Sequence, residues 1–213
     1  MQKIFGIDKY KFYICDMPTS IIYNDEDIKN KIIHEMYKTD NLVIDSKIVN
    51  TNLTVKDFLR SFKFDMKLIP YYDLENYLSK KFNALSFETQ IFIKIIAFIC
   101  NIKEKVIFDD VLTFLNQQQK FLILKYIKDN KITFFNFTSD MEEVLFTKYL
   151  IVLSSNGVII EGNTKSVLKE EKILKHNGFS LPFVVDLSYQ LKDYGILDKE
   201  YYSLEKLVSE LWK

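Results

Sequence analysis

The chain has 213 residues and a hydrophobic content of 48%, which suffices for the core of one domain or of one and a half. Lysine plus arginine and aspartate plus glutamate both number 29, so no net charge attracts the protein to nucleic acid or anionic lipid. No stretch interleaves arginine with aromatic residues, so nucleic acid is not an expected partner. The longest apolar run, residues 91–100, contains Lys94 and is far shorter than the ~20 residues of a membrane span.

The N-terminal part predicts a strand, a loop and a helix in that order. Residues 11–15 have the apolar pattern of a short buried strand, and residues 16–23 are expected to form the loop. The helix is predicted from about Asp25 to Tyr37, capped by Asp25 or Asn24. Its apolar stripe consists of Ile28, Ile32, Ile33 and Met36. Strand, loop and helix is also the order of a P-loop, but the predicted loop contains neither the glycines nor the lysine of Gly-x4-Gly-Lys-[Ser/Thr].

The middle of the chain predicts a second α/β segment. Residues 41–45 are expected to form a strand, and helices with a break at Pro70 are expected over residues 57–81. An apolar helix follows residues 85–90, and the strand at residues 105–108 ends on Asp109 and Asp110. An apolar strand that ends on an acidic pair is how a nucleotide-binding α/β domain holds Mg²⁺ beside a phosphate. Taken alone, the pair is better explained as a strand end that turns into solvent.

The last third predicts a strand at residues 133–137, then a hairpin that turns at Asn156 and Gly157, and finally a helical tail. His34 and His176 are isolated, so catalytic histidine chemistry is not expected. Cys15 and Cys100 have no metal or redox spacing and are expected to be reduced, buried thiols. Trp212, in the final helix, is expected to be a packing anchor.

The order and spacing of these segments resemble an ABC-transporter ATPase, and the tail resembles the C-terminal extension of the energy-coupling factor (ECF) type ATPases. The resemblance implies an α/β fold, an ABC-type (P-loop NTPase-like) nucleotide-binding domain with a reduced helical subdomain and a short C-terminal helical extension. The implied domains are residues 1–170, with the helical subdomain at about 54–100, and residues 171–213.

The resemblance also implies a role for single residues. Leu85 and Ser86 match the family's Leu-Ser-Gly-Gly-Gln signature, whose backbone packs on the γ-phosphate held by the opposite subunit. The remaining implied positions are Phe87 and Glu88 for the two signature glycines, Thr89 for the signature glutamine, Asp109 for the Mg²⁺-binding aspartate, Asp110 for the catalytic glutamate, Asn116 for the aspartate of the D-loop and Ser139 for the histidine that contacts the γ-phosphate. The loop glutamine that senses Mg²⁺ is missing.

These departures predict a catalytically impaired ABC ATPase-like subunit of an ECF-type importer. The expected partners are a second, active ATPase subunit and a transmembrane coupling subunit, and the expected location is cytoplasmic, at the inner face of the membrane. No cofactor is expected, and ATP with Mg²⁺ would bind weakly or through the partner. Three alternatives stay open: a weakly active ATP-hydrolysing subunit, a soluble adaptor built on the same fold, and a homodimer of the isolated chain.

Overall fold

A computed structural model describes residues 3–14, 16–38, 42–102 and 104–212 of the chain. Cys15 lies outside these residues. The chain divides into two compact units: unit 1 consists of Met1–Ile32 and Phe137–Lys213, and unit 2 of Ile33–Asn136. The domain boundary expected near residue 170 refers to the domains of the ABC family and not to these two units, and it stays a prediction.

Unit 1 contains a two-stranded antiparallel sheet and most of a mixed sheet. In the mixed sheet the strand order is β6-β3-β7-β8, with β3 parallel to β7 and β7 antiparallel to β8. The division between the units falls within β6. The strands are β1 (Lys3–Ile7), β2 (Tyr10–Ile14), β3 (Thr19–Tyr23), β6 (Thr133–Thr138), β7 (Tyr149–Ser154) and β8 (Gly157–Asn163).

Strand β3 corrects a sequence prediction, because residues 16–23 were expected to form a loop. All five residues of β3 are buried, including the polar Thr19 and Ser20. Ser20 Oγ accepts a hydrogen bond from Thr147 Oγ1 at 2.9 Å, which satisfies a hydroxyl that would otherwise be costly to bury. A strand covered on both faces shows no alternation of polar and apolar residues, so the pattern did not reveal it.

The predicted hairpin is confirmed, with Gly157 in the left-handed region at a φ of 124° where the second strand begins. Helix α1 starts in unit 1, and its predicted stripe is buried. The core of unit 1 forms where β3, β7 and the C-terminal helices pack together. Helix α1 spans Glu26–Tyr37, and the C-terminal helices are α5 (Thr164–Leu168), α6 (Glu171–His176), α7 (Phe183–Asp193) and α8 (Leu204–Leu211). Trp212 is 86% exposed, so its expectation as a packing anchor is wrong within this chain.

Unit 2 has the strand order β4-β5-β6, and β4 is parallel to β5. The strongly apolar α3 is buried around its circumference and forms the centre of this unit's core. The elements are β4 (Leu42–Ile44), α2 (Val55–Ser61), α3 (Phe87–Ile99), β5 (Lys105–Asp109) and α4 (Gln117–Asp129).

The segment between α2 and α3 differs from the prediction of helices over residues 57–81. Beyond α2 it consists of short 3₁₀ turns. Pro70 begins one of them, as its missing N–H allows, and that turn ends at Asp73 in the left-handed region at a φ of 55°. The turns are Met66–Leu68, Pro70–Tyr72, Glu75–Tyr77 and Phe82–Ala84.

Candidate functional site

In unit 1, the connection from β3 to α1 is the strand-to-helix connection that the resemblance assigns to the P-loop. β3 ends at Tyr23 and α1 begins at Glu26, so Asn24 and Asp25 alone join them. A Walker A loop needs about eight residues between strand and helix. The two-residue connection therefore leaves no length of backbone to surround a phosphate.

Asp25 caps α1 with its side chain, as the sequence predicted. Its Oδ1 accepts hydrogen bonds from the N–H of Asp27 at 3.0 Å and of Ile28 at 3.2 Å. These amides at the start of a helix are the groups that bind a phosphate in nucleotide sites. Here a carboxylate of the chain itself occupies them, and Glu26 and Asp27 add negative charge in the first turn.

A cavity of about 420 Å³ lies beside this helix end. The turn between β1 and β2 contributes Asp8 and Lys9, and α1 contributes Asp27 and Lys31, next to Asp25. Three carboxylates against two ammonium groups give the lining a negative balance, which repels a polyphosphate. The residues present at this position do not fit the phosphates of ATP.

In unit 2, the segment that resembles the ABC signature begins α3. Ser86 is the N-cap residue, and its Oγ accepts the N–H of Thr89 at 3.4 Å and lies 3.0 Å from Thr89 Oγ1. Phe87 packs edge-on against Phe114, with ring centroids 4.9 Å apart. Glu88 is exposed in the first turn. A bulky ring and a carboxylate thus stand at the two positions that the resemblance assigns to the signature glycines.

Asp109 ends β5 and Asp110 directly follows it, and both are half-buried. Asp110 has a φ of 53°, a left-handed conformation that Asp tolerates better than most residues. Asn116 caps α4 and forms a capping box with Gln119, in which each side chain accepts the other residue's backbone N–H.

The structure brings two of the predicted site residues of unit 2 to one cavity. Thr89 and Asn116 both line a polar cavity of about 160 Å³ near the starts of α3 and α4. Ser139 belongs to unit 1, where it is exposed directly after β6. The assignment of each of these residues to a family position stays a prediction.

Lys94 forms a buried ion pair with Asp45 that the sequence analysis did not predict. It lies on α3, is 7% exposed, and donates to Asp45 Oδ1 at 2.8 Å, Asp45 O at 2.8 Å and Lys47 O at 2.9 Å. All three ammonium protons are therefore used to hold the loop that follows β4. Burial by itself raises the pKa of Asp45, but the hydrogen bond from Lys94 and its charge outweigh burial, so the pKa lies below its ordinary value. A single lysine in an apolar helical run was the signal, because such a charge is buried only when paired.

Other candidate groups carry no site. Among the described residues, no three His, Cys, Asp or Glu side chains are grouped so that they could hold a metal ion. Cys100 is a free, half-buried thiol, and burial raises its pKa to about 11. Across the described ranges, no helix has the length and apolar character that crossing a membrane requires.

Curated relatives of the chain are ATP-binding proteins of ECF transporters. The protein EcfA1 of Mesomycoplasma hyopneumoniae strain 7448 is 26% identical over 144 residues, which are 66% of this chain and 52% of the relative. EcfA1 of Mycoplasmopsis synoviae is 26% identical over 200 residues, which are 89% of this chain and 73% of the relative. In the first of these alignments the chain spans about half the length of its relative. No family model matches the chain.

The fold has close counterparts among solved structures. CbiO1 of Clostridium perfringens, part of the ABC transporter complex CbiONQ, has a TM-score of 0.63 at 13% identity. The match covers 90% of this chain and 94% of CbiO1. The expected fold class is thus confirmed: the protein has the α/β fold of an ABC ATPase cassette, and its sequence resembles the ATP-binding proteins of ECF transporters.

Proposed function

We propose that this protein is a catalytically impaired ABC ATPase-like subunit that pairs with an active ATPase subunit in an ECF-type membrane importer. Its role there is structural or regulatory. The proposal places it at the inner face of the cell membrane, with residues 57–80 facing a transmembrane coupling subunit.

One observation carries the loss of catalysis: the two-residue connection between β3 and α1, capped by Asp25. Phosphate binding at a helix start needs free N–H groups and a loop that wraps around the anion. Asp25 takes two of those N–H groups, and the loop is absent. A bound γ-phosphate would also meet the negative charge of Asp27 in the first turn, whereas Glu26 is paired with Lys29 at 2.8 Å.

The start of α3 supports the same proposal from the side that would face a partner's nucleotide. Phe87 projects a ring where the family backbone approaches the phosphate, and Glu88 presents a carboxylate to it. Lys94 cannot substitute for a lost P-loop lysine, because its protons are used by Asp45 and Lys47.

Nucleotide binding by the isolated chain tests the impairment directly. We expect no saturable binding of ATP with Mg²⁺ in isothermal titration up to millimolar nucleotide, while a relative with an intact P-loop binds under the same conditions. Saturable binding at micromolar ATP that disappears in Asp109→Ala would contradict the proposal and support a weakly active subunit, with Asp109 holding Mg²⁺.

Purification of the tagged chain from solubilised native membranes tests the pairing role. We expect a second ATPase with an intact P-loop and a multi-span membrane protein to co-purify, identified by mass. Recovery of soluble proteins alone would contradict the transporter role and support the adaptor alternative.

A further inference from the structure

Unit 1 contains a second cavity, remote in sequence from the residues discussed above, where the C-terminal segment before α8 packs on α5. Its volume is about 370 Å³. Three lysines line it: Lys165 from the first turn of α5, Lys199 from the segment before α8, and Lys206 from the first turn of α8.

Two of the three lysines pack over aromatic rings, and all three remain accessible. Lys165 Nζ lies 5.2 Å from the ring centroid of Tyr202, and Lys199 Nζ lies 5.6 Å from that of Tyr201. A cation over an aromatic face gains energy without losing its charge, so its N–H donors stay available to an anion. All three side chains are exposed, and none forms an ion pair with a carboxylate among the described residues.

The carboxylate that lines the cavity is already neutralised. Glu200 forms an ion pair with Lys192, and the hydrogen bond from that lysine lowers the pKa of Glu200. Its negative charge therefore offsets Lys192 and leaves the three cavity lysines uncompensated. The cavity has a net positive lining in a chain whose formal net charge is zero.

One hydroxyl at the cavity, that of Ser203, completes an anion-binding arrangement. Ser203 is the N-cap residue of α8, yet its side chain makes no capping hydrogen bond, so the hydroxyl is available to a ligand. Thr147 and Thr164 form a buried floor, and their hydroxyls are bonded to protein oxygens. The floor is thus rigid, and the donors that remain for a ligand are the lysines and Ser203.

We propose that this cavity, lined by Lys165, Lys199, Lys206 and Ser203, is a binding site for a phosphate monoester or pyrophosphate group. A phosphate group offers several strong acceptor oxygens with up to two negative charges, which matches three ammonium groups and a hydroxyl. The group can belong to a free metabolite or to a lipid headgroup. The site is independent of the proposed loss of nucleotide binding at α1.

Titration of the full chain with inorganic pyrophosphate tests the site. We expect saturable binding that weakens as salt is raised, and that falls about tenfold or more in the double variant Lys165→Gln/Lys206→Gln. The matched control is Lys128→Gln/Lys172→Gln, which removes the same charge from exposed positions outside the cavity and leaves affinity unchanged. Circular dichroism verifies that both double variants are folded.

Vesicles separate the two sources of the phosphate group. Binding to phosphatidylcholine vesicles that contain phosphatidic acid, displaced by pyrophosphate and lost in Lys165→Gln/Lys206→Gln, indicates a lipid headgroup. Pyrophosphate binding without vesicle binding indicates a free ligand. The inference is overturned if the chain shows no saturable binding of pyrophosphate. It is also overturned if the affinity falls equally in Lys165→Gln/Lys206→Gln and in the control variant, or if it falls in neither.

Discussion

The starts of α1 and α3 are two helix ends at which ABC cassettes are expected to meet phosphate, and they differ in how they depart from that pattern. At α1 the backbone itself is missing, because two residues replace a loop of about eight. At α3 the spacing agrees with the resemblance, with Ser86 as N-cap and Asp109 23 residues later, and the departures from it lie in the side chains.

The difference teaches which loss can be reversed. Substitutions cannot supply missing backbone, so no single change at α1 is expected to recover phosphate binding. At α3, Phe87 and Glu88 stand on a helix start whose cap is intact, so glycine at both positions would reopen the approach. Each end can be tested by substitutions that keep the rest of its unit unchanged.

We expect the largest loss of stability on replacing Lys94, which connects α3 to the loop after β4, with methionine. The change leaves Asp45 half-buried without its main partner and frees the loop after β4, so the free energy of unfolding should fall by about 3 kcal/mol. Urea denaturation followed by circular dichroism measures it. Lys175→Met is the control, since Lys175 pairs with Glu171 at 2.5 Å but on the surface, and its loss should lower the free energy of unfolding much less than the loss of Lys94. Equal losses of unfolding free energy in the two variants would show that the hydrogen bonds of Lys94 contribute no more than a surface ion pair.

Introducing glycine at positions 87 and 88 tests whether the departure at the start of α3 can be reversed. In the proposed assembly with an active partner, Phe87→Gly/Glu88→Gly should raise ATP hydrolysis about tenfold or more, because the partner's γ-phosphate would regain a close backbone contact. Gln117→Gly/Gln118→Gly adds glycines at the same two positions of α4, a helix of equal length, and should not raise the rate. An unchanged rate of ATP hydrolysis in a folded Phe87→Gly/Glu88→Gly variant would show that these two side chains do not cause the impairment.

The pH dependence of the Lys94 effect follows from Asp45. Its pKa in the folded protein lies below the unfolded value, so the ion pair's stabilisation is fully present above the unfolded pKa and is lost as pH falls through the folded one. The difference in unfolding free energy between the wild type and Lys94→Met should therefore shrink as the pH falls from about 5 to about 2. A constant difference across that range would mean that the charge of Asp45 plays no part.

The sequence predicted the elements whose signal is local and missed those that depend on tertiary packing. The cap at Asp25 and the turn before Gly157 each follow from a short pattern of residue types, whereas α3 begins within residues 85–90 and not after them as expected. Strand β3 was missed because Ser20 is buried through a partner, Thr147, that lies 127 residues away. Because β3 was missed, the P-loop position was expected over residues 16–23. Only the structure revealed that two residues connect β3 to α1.

The smallest effects are expected at the two caps, and they compare the helix ends directly. Asp25→Ala removes an acceptor of two N–H groups and should cost about 1 kcal/mol of unfolding free energy, whereas Asp25→Asn keeps an acceptor oxygen and should cost a few tenths. Ser86→Ala should cost about 0.5 kcal/mol, because its hydrogen bond to the N–H of Thr89 is long at 3.4 Å. Thermal unfolding monitored by calorimetry resolves the order. Since Asp25→Asn removes the carboxylate charge but adds no backbone, it should still bind no ATP. Binding in that variant would mean that charge alone, and not the missing loop, excludes nucleotide from α1.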